Sequence, residues 1–237
     1  MNDIPHQPRT IKSFVRREGR LTKSQRHALE HFWHKYGIDY SPEKLDLEKI
    51  FGRRAPTVVD IGVGTGDTTL KHALLHPENN YLAIDVHRPG IGHLLNQLEL
   101  NNIKNIKVVN HDVIQVLDEQ ISDHTLSQIF IFFPDPWPKK RHHKRRLINK
   151  SMLNLIKNKL AWNGRLHIAT DWSDYAEHIS ELCKNDPDLN NLSGKDHFAP
   201  RPAWRTNTRY EARGERLSHR VYDFCFGLTQ NIKSSND

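Results

Sequence analysis

Five aspartates of this sequence stand where apolar runs stop: Asp60 in "TVVDIG", Asp85 in "YLAIDV", Asp112 after "IKVVN", Asp135 after "QIFIFF" and Asp171 after "RLHIAT". A carboxylate at the mouth of a strand can accept hydrogen bonds, attract a cation or stabilise a developing positive charge. Asp60 interrupts an apolar strand and is hard to read as a surface residue. Asp112 and Asp171 also suit helix caps. Asp135 lies in "FFPDPWPKKRHHKRR", between Pro134 and Pro136, and is followed by Lys139, Lys140, Arg141, Lys144, Arg145 and Arg146. Prolines cannot continue a ladder, so the chain leaves the sheet there. The pattern is that of an acid held by a stiff loop beside a cationic patch.

The elements that must position these acids alternate. Apolar runs of strand length are separated by helical stretches near Thr68–Leu75, Ile91–Leu100, Asp112–Gln120, Arg145–Leu160 and Tyr175–Cys183. "RVYDFCF" closes the series. Alternation of this kind predicts an α/β fold: a mostly parallel, doubly wound, Rossmann-like sheet with an antiparallel last strand. Such sheets bind ligands beyond the carboxyl ends of their strands, where the acids lie. Residues Ala28 to Tyr36 read as a helix. Three parts are expected: a basic, partly flexible arm over 1–30, one domain over 31–228 and a frayed tail over 229–237.

The turn after the first strand, Gly62-Val63-Gly64-Thr65-Gly66-Asp67, has the spacing G-x-G-x-G. A dinucleotide fingerprint would place a glycine at Asp67, and a carboxylate there suits a pyrophosphate poorly. No P-loop is present. A ligand without phosphate fits better, and S-adenosylmethionine is one: Asp60 facing its cationic end, Asp85 its ribose and Asp112 its adenine, over Gly62, Gly64 and Gly66. No metal is expected.

The 237 residues carry a formal charge of +7, with a pI near 9.4, which favours an anionic partner. Two cysteines, Cys183 and Cys225, have no metal spacing and read as reduced thiols. No apolar run approaches the ~20 residues of a membrane span. A cytoplasmic protein that needs no membrane and no obligatory protein partner is expected.

"RTIKSFVRREGRLTKSQ", "DVHRPGIG", "FFPDPWPKKRHHKRR", "ATDWSDYAEH" and "RPAWRTNTRYEARGERLSH" together resemble the bacterial tRNA (guanine-N7)-methyltransferases over most of the chain. The proline-rich segment with its basic sequel is the specific part. The resemblance implies a methyltransferase fold and methyl transfer from S-adenosylmethionine to N7 of a guanine in the tRNA variable loop. It puts Asp60, Asp85, Asp112 and Asp135 at the donor site, with Asp135 also serving catalysis. Lys139, Asp171, Thr208, Arg209, Tyr210 and Glu211 would meet the tRNA. Asp60 and Asp85 stand where the family usually has Glu, and Arg209 where it has Lys; charge is kept at each. Two other readings remain: methylation of an exocyclic amino group on nucleic acid or protein, and a non-catalytic RNA-binding module.

Overall fold

The computed structural model describes residues 19–194, 197–206 and 220–229. Its centre is an eight-stranded sheet: β1 (Gly37–Ile38), β2 (Thr57–Ile61), β3 (Asn80–Ile84), β4 (Ile106–Val109), β5 (Leu126–Phe132), β6 (Leu160–Thr170), β7 (Leu189–Asn191) and β8 (Tyr222–Leu228). Their spatial order is β1-β4-β3-β2-β5-β6-β8-β7. The pairs from β1 to β6 are parallel. β8 runs antiparallel to β6 and to β7. The fold is therefore the expected α/β sheet with an antiparallel final strand. The order reverses between β2 and β5, which makes that junction the switch point where a crevice opens.

The helices are α1 (Lys23–His31), α2 (Trp33–Tyr36), α3 (Leu47–Phe51), α4 (Asp67–Leu75), α5 (Arg88–Leu100), α6 (Val113–Gln115), α7 (Lys150–Lys159) and α8 (Ser173–Lys184). One core joins β2–β6 and β8 to the α6 turn, α7 and α8. A second lies on the other sheet face, where α1, α4 and α5 cover β2, β3 and β4. Strands β2 and β3 are buried at every residue, which explains their mostly apolar reading and makes Asp60 a buried acid within it.

Several boundaries differ from expectation. Residues 23–30, the end of the segment read as a partly flexible arm, belong to α1, which is closed by a capping box between Thr22 and Gln25. This helix packs on α5, and a Cβ at Gly92 would stand 2.8 Å from the Gln25 carbonyl, so only glycine admits that approach. Residues 1–18 of the arm and 230–237 of the tail lie outside the described residues. The helix expected from Arg145 starts at Lys150; Lys140–Arg145 form a 3-10 turn instead. The helix after Asp112 gives way to a π turn over Val116–Gln120. β1 and β7, two and three residues long, are too short to show a periodicity.

Candidate active site

The parallel register puts all five aspartates at one edge, in the order Asp112, Asp85, Asp60, Asp135, Asp171 across five neighbouring strands. They divide into two halves at the switch point.

The half expected to hold the donor is built on glycine. Gly62, Gly64 and Gly66 have φ of +74°, +60° and +81°, a region that a side chain opposes. A Cβ on Gly62 would meet no protein atom within 4 Å, and one on Gly64 only the Gly62 carbonyl at 4.0 Å. Bare backbone therefore faces open space at the strand ends. Behind it Gly90, in the first turn of α5, is packed so closely that a Cβ would lie 2.3 Å from the Gly64 carbonyl. Asp85 braces the turn: its carboxylate accepts from the Gly64 and His87 amides, each at 2.8 Å. Burial raises its pKa, against the pull of those two bonds. Asp60 is 4% exposed and accepts from the Thr69 hydroxyl. Burial pushes its pKa up to about 7; the Thr69 bond opposes this and the nearby Asp85 charge adds to it. Asp112 caps α6 by accepting from the Ile114 amide at 3.0 Å. This donor set fits S-adenosylmethionine: acids for the amine and hydroxyls, open glycine backbone, and no phosphate cradle.

The half expected to face the acceptor is built on proline, arginine and aromatic rings. Asp135 is exposed on the loop after β5. Phe133 and Trp137, on either side of it, have φ of +52° and +45°. Side chains in that region cost about 1–2 kcal/mol each. Phe133, Asp135 and Trp137 each precede a proline, which narrows their choices further. Arg146 holds the loop from below. It is 2% exposed, and its Nε donates to the Pro136 carbonyl at 3.0 Å. Its other end bonds Asp174 and reaches His143 at 3.1 Å, while the guanidinium lies over the Tyr175 ring. Arg145 stacks over the Trp137 ring at 4.9 Å. The sequence marked Lys139 to Arg146 as one cationic patch. Arg146 is not part of that surface: it is spent on the loop. Lys139 to Arg141 are exposed and do face outward.

Asp171 follows β6 at the same edge. The N-cap of α8 is Trp172, with no side-chain cap bond, so capping does not account for Asp171. Thr208, Arg209, Tyr210 and Glu211 lie outside the described residues. The chain leading to them is well fixed. Trp204 packs against His72, Phe130 and His167. Lys71 donates to the Ala203 carbonyl at 2.9 Å, and the Thr206 and Thr68 hydroxyls share a bond of 2.6 Å. Arg205 is buried and pairs with Asp223 at 2.9 Å. Among the described residues no group of three or more His, Cys, Asp or Glu is placed to hold a metal ion. No helix among them is long and apolar enough to cross a membrane.

Known proteins are similar to this chain in sequence. A family model described as "Putative methyltransferase" matches residues 54–224. The tRNA (guanine-N(7)-)-methyltransferase of Alkalilimnicola ehrlichii is 48% identical over 220 residues, 92% of each chain. The protein of that name from Nitrosospira multiformis is 48% identical over 226 residues, 95% of this chain and 97% of the other. This chain belongs to the tRNA (guanine-N(7)-)-methyltransferase family. The relative from Hydrogenovibrio crunogenus is 44% identical over 224 residues, 94% of this chain and 93% of its own.

For this family member, three residues of the acceptor half escaped sequence reasoning: Arg146, Trp204 and Asp223. The signal for Asp223 was present. Like Asp60, it interrupts an apolar strand, "VYDFCF". Arg146 and Trp204 gave no such signal, because their partners are remote in sequence.

Proposed function

We propose that this chain transfers a methyl group from S-adenosylmethionine to N7 of a guanine in tRNA. The observation that carries the reading is Asp135, a carboxylate on a strained and clamped loop, on the strand next to the open glycine turn. The names of relatives 44–48% identical over nearly the whole chain support it.

Asp60, Asp85 and Asp112 would hold the donor, with Gly62 and Gly64 leaving room for it. When bound, S-adenosylmethionine supplies a methyl on a sulfonium, a leaving group that becomes neutral on departure. Guanine N7 offers a lone pair and no proton, so no base is required. Methylation leaves the purine cationic. Asp135 accepts from N1–H or N2–H₂ of the guanine and stabilises that charge as it grows. Its clamped loop holds the base in line, which removes much of the entropic barrier. Lys139, Asp171 and Thr208 to Glu211 would orient the RNA, and the exposed cations would meet its phosphates without regard to sequence. The same proposal includes work in the cytoplasm without an obligatory protein partner, with residues 1–18 engaging further phosphates as a basic arm.

Incubating the purified chain with unmodified tRNA and labelled donor, then cleaving the RNA at N7-methylguanine, tests the reading. Label at one guanine is expected. Label on an exocyclic amino group, or none in RNA, would reject it. Deleting residues 1–18 should lower tRNA affinity and flatten its salt dependence, the log–log slope shrinking by roughly 0.7–0.9 for each phosphate the arm had neutralised.

A further inference from the structure

Helix α4 grows directly out of the glycine turn, with Gly66 as its N-cap. Its residues face two ways. Thr69 donates to the buried Asp60 carboxylate, on the sheet side. Thr68, Lys71 and His72 are spaced i, i+3 and i+4, so they share another face of the helix. Each of these three holds the segment that leads to Thr208. The Thr68 and Thr206 hydroxyls are bonded at 2.6 Å, and Lys71 donates to the Ala203 carbonyl at 2.9 Å. The His72 ring meets the Trp204 ring edge-on, with 4.4 Å between centroids. One nine-residue helix thus bonds Asp60 on one side and residues 203–206 on the other.

The three contacts are not equivalent. Lys71 reaches out on a flexible four-carbon stem, and a ring contact tolerates sliding. The hydroxyl pair is short and directional. Thr68 is 8% exposed and stands on a helix, where a β-branched side chain has few rotamers. It ties together residues 138 apart in the chain, and Thr206 is two residues before Thr208. An apolar pair could not take its place unchanged. Two methyl groups need ~3.5–4.0 Å, so they would hold the segment about 1 Å further from the helix. A misplacement of about 1 Å, even one begun far from the chemistry, can cost about a hundredfold in rate.

We infer that Thr68 is a positioning residue for methyl transfer. Through Thr206 it sets the chain entering Thr208–Glu211 at a fixed distance from the helix that starts at the glycine turn, so that the guanine lies in line with the donor. The inference rests on the proposed methylation of tRNA and adds to it the link between the two halves of the site. Thr68 acts through Thr206 and takes no part in the bond changes.

Thr68→Val keeps the shape of the side chain and removes the hydroxyl. It should lower kcat at least fivefold, with donor affinity within about twofold and tRNA affinity within about threefold of the unaltered chain. Thr68→Ser keeps the hydroxyl and should hold kcat within about twofold. Thr206→Val reads the same link from its other end and should lower kcat as Thr68→Val does. The double variant separates positioning from stability. With both hydroxyls gone neither is left unpaired, so the urea midpoint should return toward that of the unaltered chain. Its kcat should stay at the level of the single variants, because both remove one interaction. A loss under fivefold in Thr68→Val, an equal loss in Thr68→Ser, losses that multiply in the double variant, or a kcat that follows the urea midpoint across the variants overturns the inference. Absence of N7 methylation by the unaltered chain would instead overturn the function on which it rests.

Discussion

The donor and acceptor halves of the site solve one problem by opposite means. Each must hold a loop in a shape the backbone resists. In the donor half the residues with positive φ are glycines, for which the shape costs little, and the loop needs only Asp85 to brace it. In the acceptor half they are Phe133 and Trp137, and the loop is held against its preference by Arg146, Arg145 and three prolines. The donor loop should thus tolerate loss of a neighbour, whereas the acceptor loop depends on its clamp. The contrast has a chemical reason. A donor pocket needs bare backbone near its ligand; an acceptor site needs a side chain aimed at a base.

The most severe test of the acceptor half is Asp135→Asn. It should lower kcat about a hundredfold, the usual effect of losing one preorganised stabilising group, ~3 kcal/mol. Affinities for donor and tRNA should change less than threefold, as titration calorimetry would show. Arg146→Met should come next, with kcat down roughly tenfold and ~1–3 kcal/mol lost from stability in urea unfolding. The salt dependence of tRNA binding should stay as it was. Were Arg146 bound to a phosphate, that slope would fall and kcat would hold, and the contrast between the halves would fail.

Asp60→Asn probes the donor half. Donor affinity should fall about tenfold at pH 8, the worth of a charge-assisted bond. Stability should move the other way. Asp60 has a folded-state pKa of about 7, well above the ordinary carboxylate value, so its favourable contribution is complete only below its unfolded pKa. It is lost as pH rises through 7. Removing the charge should therefore stabilise the fold at pH 8 by roughly 1–3 kcal/mol. In the unaltered chain, donor affinity should weaken as pH drops below 7, and in the variant that dependence should vanish. The smallest effect is expected from Gly62→Ala. Its Cβ meets no protein atom, so donor affinity should fall about fivefold, ~1 kcal/mol for a methyl placed in the ligand's space. Both alanines should lose about 1–2 kcal/mol to their positive φ, and Gly66→Ala, whose Cβ would lie 2.5 Å from Leu94 Cδ1, should lose more stability than Gly62→Ala. Equal behaviour of the two alanines would mean that the glycine turn is shaped for packing alone.

The same division governs what the sequence disclosed. The framework of the glycine-built half was legible in the sequence. Its strands are buried on both faces and read as apolar runs, its acids interrupt those runs, and its glycines fall together in the chain. In the acceptor half the acid and the prolines were legible and the clamp was not. Arg146 looks like five cations around it, and only its bonds to Pro136 and Asp174 set it apart. Arg205 is equally opaque in the sequence: its partner, Asp223, is 18 residues away. Charge in a sequence does not reveal which cation is spent inside.

The position of β8 bears on how the molecule is made. This strand sits between β6 and β7, yet it is the last of the described strands to leave the ribosome. Until residues 222–228 have been synthesised, β6 has an unpaired edge and Arg205 lacks its partner Asp223. The donor half, by contrast, draws its strands from residues 57–109 and is available early. Synthesis thus yields a nascent chain with a formed glycine turn beside a bare strand edge, a surface prone to pairing with other chains. Stalling or nonsense mutation between residues 170 and 222 should give products that collect in aggregates rather than inactive soluble protein.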